Sequence, residues 1–201
     1  LAGQWDYGYM SFRVDATPYI RFGGDNVVAV KADTRNQGTR WYPGAGIYRK
    51  VTMVVCRPVH LGHWATYVTT PEVTDRRATV MIRTAVENHL DADAPAAVRF
   101  VITDPAGHIV AEAGQDLNLP AGETKDVQQS ITLSHPSRWD IAAPNLYTLG
   151  VSVQAGGKLL DAETTSLGIR TFAFTADDGF HLNGRRVPLY GVNLHHDHGP
   201  L

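Results

Sequence analysis

Val80-Met81-Ile82-Arg83-Thr84-Ala85-Val86-Glu87 decides the fold class of this chain. Val80, Ile82 and Val86 fall on one parity, and Met81, Arg83 and Glu87 fall on the other. A period of two puts the apolar set on one face of a sheet and the polar set on the other, whereas a helical period of 3.6 would scatter both. The same pattern recurs at Val98, Phe100 and Ile102, at Val127, Ile131 and Leu133, and at Leu149, Val151 and Val153. Turn sequences separate the runs: Asp104-Pro105-Ala106-Gly107, Pro120-Ala121-Gly122-Glu123 and Ala155-Gly156-Gly157-Lys158. Short strands at turn spacing predict an all-β chain with an antiparallel, immunoglobulin-like β-sandwich over residues 58–172. The Cys…Trp…Cys spacing of antibody domains is absent, so the strand pattern alone carries this reading.

Two boundaries flank the sandwich. Arg57-Pro58 ends an apolar run at residues 51–56, because proline removes a ladder donor. Before it, residues 9–14, 27–32 and 47–55 read as strands of a different β-domain, which gives residues 1–57 as one unit. After the sandwich, residues 173–201 form a third segment. Asp177-Asp178-Gly179 is a tight turn, and Asn183-Gly184 between apolar runs is the strongest short hairpin signal. The segment ends on Asn193, His195, His196, Asp197 and His198, directly after the strand-like run 187–190. Polar groups gathered at a strand end are a common way to build a site.

Composition narrows the function classes. In 201 residues, 43% hydrophobic content supplies a real core, and a formal net charge of −2 offers no basic face for nucleic acid. No apolar stretch approaches the roughly 18 residues of a membrane span. The single cysteine, Cys56, can form no intrachain disulfide, and its apolar neighbours predict a buried small hydrophobe. One cysteine is compatible with either the cytoplasm or the periplasm. Gly44 and Gly46 lack the third glycine, the following helix and the Lys-Ser/Thr pair of a nucleotide loop, and read as turn glycines.

Three motifs, in this order, resemble glycoside hydrolase family 2, the family of β-galactosidases, β-glucuronidases and β-mannosidases. The first is Asn26-Val27-Val28-Ala29-Val30-Lys31-Ala32-Asp33 followed by Arg40-Trp41-Tyr42-Pro43-Gly44-Ala45-Gly46-Ile47-Tyr48-Arg49, similar to the end of that family's sugar-binding jelly-roll. The second is Pro144-Asn145-Leu146-Tyr147 with Gly168-Ile169-Arg170, similar to the closing half of its immunoglobulin-like domain. The third runs from Gly179-Phe180-His181-Leu182-Asn183-Gly184 to Gly191-Val192-Asn193-Leu194-His195-His196-Asp197-His198, similar to the start of its TIM barrel. The resemblance implies a sandwich flanked by a partial jelly-roll and the first strands of a truncated barrel. It is nearest to the β-galactosidase branch, with a carbohydrate substrate met through the parent enzyme.

The family's two catalytic glutamates stand on barrel strands, the acid/base in an Asn-Glu pair. No Asn-Glu pair occurs here, and Glu87-Asn88 is the reverse order inside the sandwich, with Glu87 on the solvent parity. The resemblance therefore implies that both glutamates lie beyond Leu201 and that this chain by itself is inactive. It also implies sugar contacts at Asp33, Asn193, His195, His196 and His198. Each has a plainer alternative. Asp33 opens a turn-rich run, and some of the histidines can serve only to bond neighbouring loops. A metal reading also stands, because His195 and His198 are three apart and neutral imidazoles ligate metals. The family often uses a metal ion, but no complete ligand set is legible and the cofactor stays unassigned. Trp41 reads first as a packing residue, and His60 and His63 as surface or packing residues. Trp139 reads as a core plug at the sandwich end, and Tyr147 as a corner tether through its hydroxyl. Three functions remain open: a portion of a family 2 glycosidase, a stand-alone carbohydrate- or protein-binding sandwich, and a purely structural segment. No membrane or nucleic-acid partner is expected, and self-association is left open.

Overall fold

The alternating runs pair with one another into two packed antiparallel sheets. A computed structural model describes residues 1–7, 10–33 and 46–193. The chain divides into two compact units, Leu1–Met53 and Val54–Leu201.

In the second unit the strands are β1 (Val59–Leu61), β2 (Tyr67–Val73), β3 (Arg77–Asn88), β4 (Ala94–Thr103), β5 (Ile109–Leu119), β6 (Thr124–Ser134), β7 (Tyr147–Ala155) and β8 (Lys158–Leu167). β3 is the spine of the first sheet. It pairs with β1 and β2 along one edge and with β6 along the other. The second sheet runs β5-β4-β7-β8. The core forms where apolar positions sit opposite one another: Val80 faces Ile131, Ala78 faces Leu133, Phe100 faces Val151 and Ile102 faces Leu149. Cross-strand pairs of this kind are the unit of sheet stability. All eight side chains are buried, Phe100 and Ile102 completely. At each of these apolar positions the face that the period-two reading assigns to the core is the buried one.

The predicted turns close three hairpins or crossovers. Gly107, Gly122 and Gly157 each take positive φ (90°, 68° and 74°), which only glycine adopts without strain. Asp104 caps its turn by accepting the amides of Ala106 at 2.9 Å and His108 at 2.8 Å. Tyr147 is buried, and its hydroxyl accepts the Ser137 amide at 2.9 Å, ten residues upstream. This is the tyrosine corner of immunoglobulin-like sandwiches. Buried Asn88 fastens the β3 end: its Nδ2 donates to the carbonyls of Ala92 (3.0 Å), Leu119 (3.0 Å) and Pro120 (2.9 Å), and its Oδ1 accepts the Leu90 amide at 3.0 Å.

β9 (Phe172–Thr175), β10 (Gly179–Leu182) and β11 (Arg185–Arg186) form a small meander of their own. Asn183 and Gly184, at φ 50° and 79°, make the mirror-image turn that the Asn-Gly signal predicts.

Several expectations need correction. In the first unit, the described residues form a single 3-10 turn, Thr17–Tyr19, and no strand. Residues 10–14, 27–32 and 47–55 are without ladders, and Val27, Val28 and Val55 are more than four-fifths exposed. A strand needs a neighbour to take its amides and carbonyls, and among the described residues these stretches have no ladder partner. Cys56 is exposed for the same reason: its apolar neighbours are not covered. Residues 187–190 likewise leave the ladder after the Val187 amide reaches the Phe180 carbonyl at 2.8 Å. Glu87 stands on the outward parity of β3 but is only partly exposed. Its side chain is only 20% exposed, lying between His60 and His89. Trp139 is half-buried at the sandwich end rather than sunk in the core. Tyr9 and residues 34–45, including Arg40, Trp41, Tyr42 and Gly44, lie outside the described residues.

Candidate functional site

Asn183 grips the sandwich. A positive φ suits asparagine better than most residues, and the turn leaves its amide pointing back along the chain. Its Nδ2 donates to the Trp139 carbonyl at 2.9 Å and to Asp140 Oδ2 at 3.2 Å. Its Oδ1 accepts the Thr171 amide at 3.1 Å, and its own amide donates to the Thr171 carbonyl at 2.9 Å. Arg185 donates to the same Asp140 oxygen at 2.7 Å.

On the sandwich side, the Trp139 amide donates to the Ile169 carbonyl at 2.9 Å, and the Arg170 guanidinium lies 5.0 Å above the Trp139 ring. Gly168 makes this approach feasible, because a Cβ there would come within 3.2 Å of the Trp139 side chain. Thr70 donates its hydroxyl to the Arg170 carbonyl at 3.1 Å. Leu182 and Ile169 are buried. The Gly168-Ile169-Arg170 motif and the Asn183-Gly184 motif, separate in sequence, are thus one physical joint. It ties the β9–β11 meander to the end of the sandwich.

The electrostatics are those of a clamp. The Arg185 hydrogen bond, then that from Asn183, holds the Asp140 carboxyl below its ordinary range. The Thr175 hydroxyl and the charge of His181 do the same for Asp178, whose Oδ2 lies 3.1 Å from His181 Nε2. A general acid needs a raised pKa. These carboxylates are shifted the other way and act as fixed acceptors.

Of the sequence-derived site residues, Asp33 and Asn193 fall among the described residues, one in each unit. Asp33 lies exposed in the first unit, with Lys31 Nζ at 3.7 Å from its Oδ2. Asn193 is exposed, seven residues past β11 in the second unit. His195, His196 and His198 lie outside the described residues. Asp140, Arg185 and the side chain of Asn183 escaped sequence reading. The Asn-Gly pair announced a turn but not a side-chain grip 44 residues away.

Comparison with known proteins places this arrangement. The family model for Glycosyl hydrolases family 2 matches residues 60–170, more than half of the chain. The β-galactosidase BoGH2A of Bacteroides ovatus is 41% identical over 97% of this chain, and a β-glucuronidase of Formosa agariphila is 28% identical over 94%. The crystal structure of a glycosyl hydrolase family 2 member from Bacteroides cellulosilyticus superposes with a TM-score of 0.81 at 35% identity, over 92% of this chain. This chain spans 23%, 21% and 25% of those three proteins, about a quarter of their length or less.

Proposed function

We infer that this chain, which belongs to glycosyl hydrolase family 2, is the non-catalytic portion of a retaining enzyme that hydrolyses terminal β-galactosides. Its higher identity to the β-galactosidase of Bacteroides ovatus than to the β-glucuronidase of Formosa agariphila carries the reading. Retaining hydrolysis needs two carboxyls about 5–5.5 Å apart across the scissile bond. We assign neither to this chain, which has no Asn-Glu pair.

In this reading residues 1–57 close the sugar-binding domain, 58–172 are the sandwich spacer and 173–201 open the catalytic barrel. Asp33, Asn193, His195, His196 and His198 are the residues to which the family resemblance assigns contacts with sugar hydroxyls. The test is alanine substitution of each of these five residues in the longer enzyme. At least one variant should lose about tenfold or more in kcat/KM for an aryl β-galactoside, about 1.4 kcal/mol of transition-state binding, with an unchanged melting midpoint. Five variants with wild-type kinetics would remove the sugar-contact assignment.

A further inference from the structure

At the opposite end of the fold's logic, the short first strand carries a donor set that the glycosidase reading leaves unused. The antiparallel register of β1 and β3 sets His60 directly opposite Glu87. Residues so placed have Cβ atoms about 4.5–5.5 Å apart. His89 follows Glu87 by two, and its amide continues the ladder by donating to the Pro58 carbonyl at 2.9 Å, so it shares the face of Glu87. The two imidazoles stack with centroids 5.2 Å apart. Glu87 Oε2 lies 3.6 Å from His60 Nε2 and 3.0 Å from His89 Nε2, and the three donor atoms all fall within 4.8 Å of one another.

The details favour a cation at the centre. His60 Nδ1 lies 3.0 Å from the Arg57 carbonyl, which can only accept, so Nδ1 carries a hydrogen, and in the neutral imidazole the Nε2 lone pair faces Glu87. A cation between that lone pair and the carboxylate engages both, and replaces the hydrogen by which His89 Nε2 bonds Glu87 Oε2 at 3.0 Å. The Arg57 carbonyl is also the kind of outer partner that orients a metal-bound imidazole. His60 and Glu87 are largely enclosed, at 15% and 20% side-chain exposure, while His89 is 60% exposed and leaves one side open to water. Gly62 gives the carboxylate room to turn, because a Cβ there would stand 3.2 Å from Glu87 Oε1.

We propose that His60, Glu87 and His89 bind a zinc ion. Two imidazoles and one carboxylate suit zinc, whereas calcium and magnesium take oxygen ligands. Ligands about 2.0–2.1 Å from a tetrahedral ion stand roughly 3.3 Å apart, so small side-chain rotations close the site. The ion staples three-residue β1 to the end of β3, with water in the fourth position.

The test is calorimetric titration of the metal-stripped, tag-free chain with zinc chloride. One site of roughly micromolar affinity or tighter is expected. His60→Ala, His89→Ala and Glu87→Gln should each weaken it at least about tenfold. A combined H195A/H196A/H198A variant should retain it, which separates this site from the C-terminal histidines. Imidazole 15N shifts of His60 and His89 in the unsubstituted chain should move on zinc addition, a readout that does not depend on any variant folding. Affinity weaker than about 1 mM, unmoved His60 and His89 resonances, or a site lost only with the C-terminal triple variant would overturn the proposal.

Discussion

The Asn183 side chain donates to the Trp139 carbonyl at 2.9 Å, joining a hairpin turn to the end of the sandwich across 44 residues. Replacing it separates turn from grip. Asn183→Gly keeps the positive φ and removes the side-chain bonds. It should weaken hairpin docking by about 1–3 kcal/mol, read as faster hydrogen exchange at residues 180–182, with residues 149–153 unchanged. Equal exchange in variant and parent would mean that Leu182 burial alone docks the hairpin.

Acid should open the same joint. Asp140 and Asp178 both titrate below their ordinary 3.8 in the folded chain. A depressed carboxyl contributes stability that is complete above the unfolded value and fades as pH falls through the folded one. The side-chain amide resonances of Asn183 should therefore hold steady from about pH 6 to about pH 4 and shift below that. In Asp140→Asn that acid shift should be lost. A midpoint near neutral pH would instead assign the transition to a histidine.

Phe100 is fully buried between β5 and β7. Phe100→Ala should cost about 3–5 kcal/mol in denaturant unfolding. A cost under about 1 kcal/mol would mean that the sheet faces are reversed.

Asn88 satisfies both ends of its amide while 2% exposed. Asn88→Ala should cost about 2–3 kcal/mol, because several loop carbonyls lose their donor. Calorimetric melting is the check, and an unchanged midpoint would indicate that water replaces the amide.

The sandwich was legible because burial of one sheet face writes itself into the sequence every second residue. Val80, Ile82, Val98, Phe100, Ile131, Leu133, Leu149 and Val151 all proved buried. Asn183-Gly184 was legible because few residues tolerate its backbone. Side-chain grips over long separations leave no period, so Asn88, Asp140 and Arg185 went unread. Parity gave the outward face of Glu87 but not its cover, since two histidines enclose a position that alternation assigns to solvent. Cys56 shows the converse limit, since apolar neighbours state what a segment would bury and not whether anything covers it. Of the candidate site, the residue types at Asp33 and Asn193 were legible, but the contacts proposed for them belong to a carbohydrate and not to this chain.

We propose that this chain lends structure and sugar contacts to a β-galactosidase without holding its catalytic carboxylates. The most direct measurement is turnover of aryl β-galactoside and β-glucuronide by the 201-residue chain and by the longer enzyme that contains it. The account predicts no turnover above buffer by the chain, and galactoside hydrolysis favoured over glucuronide by the longer enzyme. Turnover by the repurified chain, or a preference for the glucuronide, would contradict it.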